Sequence, residues 1–84
     1  MAQVTPQPTP NPQAYKFTLI GHRFDAPVTI DAGNAAGTPF EGLFELAGVV
    51  SVFATADFVT LMKDPGADWG GIIEAARAHL ESAF

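Results

Sequence analysis

An 84-residue chain with no cysteine must close its fold on apolar side chains alone. At this size, folding buries roughly 60% of the surface that the extended chain exposes, and cross-links often supply the remaining stability. Here disulfides, thiolate zinc sites, cysteine nucleophiles and cysteine-ligated iron–sulfur clusters are all excluded. What remains is a chain that is 48% hydrophobic and 15% charged. That is apolar enough for one core and too apolar for disorder. A single small domain is expected, with no cleft between domains.

The core must come from a few patterned segments. Residues 1–14 carry no charge and place prolines at Pro6, Pro8, Pro10 and Pro12. Each proline fixes its own φ and pushes the preceding residue toward extended backbone, so no helix forms here. Residues 1–8 are expected as a flexible Pro-rich tail and residues 9–84 as the domain. Residues 9–14 are expected to be an ordered, extended arm lying along a sheet edge, because proline cannot donate to an interior ladder. In that arm Asn11 either ties the backbone down locally or offers a polar contact to a partner.

Tyr15 to Ile20 alternate in polarity, the mark of a half-buried strand. Val28 to Ile30, opening at Pro27, read as a second strand. Thr38-Pro39-Phe40-Glu41 carries the signals of a helix start, with Phe40, Leu43, Phe44 and Ala47 on one stripe and Gly48 as a left-handed stop. Val49–Thr55 and Phe58–Lys63 read as an antiparallel hairpin turning at Ala56 and Asp57. Asp68 then caps a last helix whose apolar face is Trp69, Ile72, Ile73, Ala76, Leu80 and Phe84. The expected class is α+β, in the order ββαββα. Two hairpins form a four-stranded antiparallel sheet with two helices on one face. Phe44, Val52, Phe53, Ile73 and Leu80 are expected among the central apolar positions. Val50 and Val52 are expected to point inward. Phe53 is expected on the open face beside Tyr15 or Phe17, with Lys16, Thr18 and Thr60.

Four Lys and Arg stand against nine Asp and Glu, a formal charge of −5. Scattered cations in an acidic chain argue against nucleic acid and anionic membrane as partners. No apolar run approaches the ~18 residues of a membrane span, and the start lacks the pattern of a signal peptide. A cytoplasmic, monomeric protein with protein partners is expected. The chemistry-bearing residues form no catalytic constellation. Ser51 and Ser82 lie on no nucleophile elbow, and Trp69-Gly70-Gly71 is no phosphate loop, because Asp68 repels anions there. No enzyme activity and no cofactor are expected. His22, Asp25, Asp31 and Glu41 are the residues from which a cysteine-free iron or other divalent-metal site would have to be built.

Several motifs together resemble a known family. Thr9-Pro10-Asn11-Pro12 followed by Lys16-Phe17 is similar to the T-P-N-P…K-F opening of the N-terminal domain of Nfu/NifU-type proteins. Leu46 to Phe53 resembles that family's I-x-G-V-x-x-V-F stretch, and Ala56 to Lys63 its x-D-F-I-T-V-T-K strand. Trp69 and the amphipathic helix ending at Phe84 resemble its last element, so the likeness runs from about residue 9 to residue 84. Thr55 stands where the family usually has Gly, Met62 where it has Thr, and Pro39-Phe40-Glu41 where a small-Pro-Leu-Ala segment is common. The resemblance implies a free-standing domain with an accessory place in iron–sulfur cluster assembly. Its partners would be assembly or client proteins. The cluster-ligating C-x-x-C of longer members is absent from this sequence. Asn11, Tyr15, Phe17, Phe53 and Asp57 are the candidate contact residues.

Overall fold

The computed structural model describes residues 3–31, 33–46 and 48–84. These form strands β1 (Gln3–Pro8), β2 (Ala14–Ile20), β3 (Phe24–Asp31), β4 (Val49–Ala56) and β5 (Phe58–Lys63), a 3-10 turn at Glu41–Glu45, and one α-helix, α1 (Trp69–Ala83). The sheet has five antiparallel strands in the order β1-β2-β5-β4-β3. The α+β class stands, but the four strands and two helices expected become five strands and one helix.

The additional strand comes from the segment expected to be a tail. From Gln3 on, it pairs along its whole length with β2, Pro6 opposite Phe17 and Pro8 opposite Tyr15. The alternation of the prolines is what makes this work. The N–H of Leu19 donates to the carbonyl of Asp57 and the N–H of Lys63 to the carbonyl of Gln13, so odd residues of β2 turn toward β5. Even residues of β2 therefore bond to Gln3, Thr5 and Gln7, and Pro6 and Pro8 face outward, where a missing donor costs nothing. Of residues 9–14, expected as an extended arm, 9–13 instead turn the chain from β1 into β2 as a hairpin connection, and Ala14 opens β2.

The first hairpin expected, between the strands at 15–20 and 28–30, does not form. β2 lies between β1 and β5, and β3 pairs with β4 at the far edge. Gly21–Arg23 carry the chain past the β4–β5 turn to get there. β3 is also longer than expected. Phe24 pairs with Ala56 and Val28 with Ala54, so residues 25–27 bulge and Pro27 sits where no ladder bond is needed.

The segment 38–48 makes only the short 3-10 turn. The Thr38 hydroxyl accepts from the N–H of Phe40 at 3.2 Å and donates to the carbonyl of Ala35 at 2.7 Å, which closes a turn rather than capping a long helix. With Gly42 in its middle, a segment this short does not recover the cost of nucleation. Ala47, expected on the stripe of this helix, lies outside the described residues, as do Met1 and Ala2 of the tail. By contrast α1 forms as expected, and the Asp68 carboxylate accepts from the N–H of Gly70 at 3.0 Å.

One face of the sheet carries the core. Phe17, Leu19, Val52, Ala54, Val59 and Leu61 are buried there against Leu43, Phe40, Ile72, Ala76 and Leu80. Val52 and Leu80 stand as expected. Phe44 and Ile73 pack at its margin, and Leu43 is fully buried in their place. Val50 does not point inward: Val49 pairs with Lys63 and Ser51 with Met62, so Val50 is the extra residue of a bulge and is exposed.

Candidate functional site

The open face of the sheet is read from the register. Lys16 pairs with Thr60, and Thr60 with Phe53, so the three lie in one row on the side away from the buried Phe17 and Val59. Thr18 and Phe58 form the next row, and the Lys16 ammonium sits 4.6 Å from the centre of the Phe58 ring. Hydroxyls and aromatic rings dominate this face. Phe53 is 38% exposed on it, as expected from the alternation of β4.

Tyr15 and Phe17 are not beside it. Residues opposite one another in a sheet share a face, and their partners Leu61 and Val59 are buried under the helix. Phe17 is buried, and Tyr15 packs on Trp69 with ring centres 5.2 Å apart. Alternation sets Tyr15 and Phe17 opposite Lys16 and Thr18, so the expectation that puts all four on the open face with Phe53 breaks the period of two.

Asn11 lies at one end of the sheet. Its side-chain oxygen accepts from the N–H of Gln13 at 2.9 Å, and its carbonyl accepts from the N–H of Ala14 at 3.0 Å. The Thr9 hydroxyl donates within the same turn, and the Trp69 indole N–H donates to the carbonyl of Pro12 at 3.0 Å. The Lys63 ammonium closes this end, 3.0 Å from the Gln13 side-chain oxygen and 5.7 Å from the centre of the Trp69 ring. Local tie-down is thus what Asn11 does in this structure. Asp57 is exposed at the opposite end, in the β4–β5 turn. The five candidate contact residues therefore occupy two faces and two ends rather than one site.

The residues considered for a metal are dispersed as well. His22 packs against Phe24 edge-on and against Phe84 at a tilt, with ring centres 4.8 and 4.6 Å away. Asp31 accepts from the N–H of Gly33 and Glu41 from that of Gly37. No three His, Asp or Glu side chains approach one another as ligands among the described residues. His79 is half-buried, with Nε2 2.8 Å from the carbonyl of Pro39. It joins α1 to the turn at 39–42.

Charge is unevenly used. Arg77 bridges Glu74 and Glu81 on α1, and its hydrogen bond holds the Glu74 carboxyl below its ordinary value. Lys16 and Lys63 rest over aromatic rings. The other seven carboxylates form no ion pair among the described residues. Among those residues no helix is long and apolar enough to cross a membrane.

Comparison with known proteins agrees with this architecture. Residues 4–84 match the family described as scaffold protein Nfu/NifU N terminal. A protein of Drosophila ananassae named NFU1 iron-sulfur cluster scaffold homolog, mitochondrial, is 39% identical over 72 residues, covering 75% of this chain and 23% of that protein. The homologue from Drosophila willistoni is 36% identical over 70 residues, 76% of this chain and 24% of its own length. The chain thus spans about a quarter of the relatives that it matches. A crystal structure of a Staphylococcus aureus protein superposes with a TM-score of 0.79 at 20% identity, covering 93% of this chain and 98% of that one. The solution structure of a NifU-like protein from Saccharomyces cerevisiae gives 0.76 at 21% identity, covering 96% and 76%. These two share the fold. The family match over residues 4–84 extends the resemblance through β1, and this chain belongs to the Nfu/NifU N-terminal domain family.

Proposed function

We propose that this domain is a non-catalytic, protein-interaction module serving iron–sulfur cluster assembly. Its membership of a family whose relatives are named as cluster scaffolds carries the reading. Without cysteine it offers a surface rather than thiolate ligands, so its contribution is to hold an assembly factor or an apo-client protein. Asn11, Phe53 and Asp57 are exposed and stay candidate contacts, whereas Tyr15 and Phe17 belong to the core side of the sheet. Monomeric state and cytoplasmic placement are part of the same reading. Sedimentation and cell fractionation check them, the matched fly relatives being named mitochondrial. The main test is affinity capture with the 84-residue chain as bait. Enrichment of cluster-assembly or iron–sulfur client proteins is expected, and capture of unrelated proteins alone would contradict the proposal.

A further inference from the structure

An open groove of about 610 Å³ lies beside the N-terminal end of α1. Leu46, Ala67 and Ile72 give it an apolar lining, and Asp64 and Asp68 supply its charge. Each carboxylate is held by one oxygen, Asp64 by the N–H of Gly66 at 2.9 Å and Asp68 by the N–H of Gly70 at 3.0 Å. Neither forms an ion pair among the described residues. The neighbouring Lys63 ammonium is engaged by Gln13 and the Trp69 ring. Exposed Glu45, next to Leu46, adds a third negative charge nearby. The start of α1 contributes roughly half a positive charge, which two full carboxylate charges outweigh.

Gly71 is the second observation. It sits in the first turn of α1, and glycine favours a helix less than alanine does. Nothing in its surroundings requires glycine: a Cβ there would meet no atom within 4 Å, and its φ is not in the left-handed region. Its lack of a side chain leaves the groove open at a cost to the helix.

Resting on the reading of this domain as an interaction module, we propose that the groove docks an extended segment of a partner protein carrying Lys or Arg next to an apolar residue. The apolar side chain lies on Leu46, Ala67 and Ile72, and the cation meets Asp64 and Asp68. A chain of formal charge −5 with most carboxylates unpaired favours that sign of partner at long range as well.

Amide shifts of the isotope-labelled 84-residue chain test this during addition of a terminally blocked hexapeptide of alternating Leu and Lys. Parallel titrations use peptides with Glu in place of Lys or Ser in place of Leu. Saturable movement of the Gly48, Gly66 and Gly71 amides is expected with the Leu/Lys peptide alone. The D64N/D68N variant keeps the oxygens that accept from Gly66 and Gly70 but loses both charges, and should bind roughly tenfold more weakly. Gly71→Leu, built into open space, should keep the fold and abolish binding. Unchanged affinity in D64N/D68N, equal binding of the Leu/Glu peptide, or shifts confined to the open sheet face would overturn the proposal. So would concentration-dependent self-association lost in D64N/D68N, which would assign the groove to a second copy. If Gly71→Leu still captures iron–sulfur proteins in full, the groove is wrong and the module reading stands. If the peptide binds as described but no iron–sulfur protein is captured, the groove stands and the module reading falls.

Discussion

Ala56 turns β4 into β5 with φ at 50°, a left-handed conformation that costs an L-residue with a Cβ about 1–2 kcal/mol. Ala56→Gly relieves that strain and loses part of the gain to chain entropy, for a net stabilisation of about 0.5–1 kcal/mol in urea unfolding. A loss of stability instead would show that the Ala56 methyl packs usefully. Gly48 presents the opposite case. Its φ is 93°, and a Cβ built there falls on the methyl of Ala67. Gly48→Ala should cost about 2–4 kcal/mol from strain and overpacking together. Adding Ala67→Gly should recover the steric part and leave the backbone part. Core and open face separate as cleanly. Leu43→Ala should cost about 2–5 kcal/mol, whereas Phe53→Ala should cost under ~1 kcal/mol. Equal costs would mean that the two faces of the sheet are wrongly assigned. The left-handed backbone at Gly48 and the exposure of Phe53 were legible from residue type and alternation, although no helix ends at Gly48. The side on which Tyr15 and Phe17 lie follows from the same alternation once Lys16 and Thr18 are given to the open face, although the expectation set all four there.

At the scale of elements, both edges of the sheet are blunted. On β1 the outward backbone positions belong to Val4, Pro6 and Pro8, and two of these have no N–H to offer. On β3 the Asn34 amide takes the N–H of Asp31 at 2.7 Å and reaches the carbonyl of Thr29 at 3.5 Å, and the bulge at Pro27 interrupts the rest. Such edges resist pairing with another chain. The double variant P6T/P8T restores the missing donors without disturbing the bonds to β2. It should associate with rising concentration in sedimentation, and a variant that stays as dispersed as the parent would show that the prolines are not the barrier. The sequence contained both halves of this arrangement. Proline at alternate positions excludes a helix and also suits an outer edge, but the pairing partner that distinguishes strand from tail lies beyond the turn at residues 9–13. The failed helix at 38–48 has a similar cause. Thr38, Pro39 and Glu41 are sound start signals, yet Gly42 and the short run before Gly48 leave too few hydrogen bonds to repay nucleation. In α1 the cap, the period and the length agree, and the element forms as read.

For the molecule as a whole, one face of the sheet, the 3-10 turn and α1 enclose a single core. The hydrophobic residues close one core without any cross-link, the three-aromatic contact of His22, Phe24 and Phe84 closes one corner, and Trp69 pins the turn at Pro12. The motifs of the family fall at turns and strand ends, namely the 9–12 turn, left-handed Gly48 and the Asp57 turn, although an extended arm is expected from the sequence at the first and a helix stop at the second. The groove was not readable, since it joins Leu46 and Gly48 to residues between Asp64 and Ile72 only through the path of β4 and β5. The central claim is that this surface engages proteins of iron–sulfur cluster assembly. Its most direct test is quantitative affinity capture with the parent chain and with Phe53→Ala and D64N/D68N as baits, each shown to be folded. The account predicts enrichment of cluster-assembly or client proteins by the parent and their loss with at least one variant. Capture that includes no such protein, or that all three baits share equally, would contradict it.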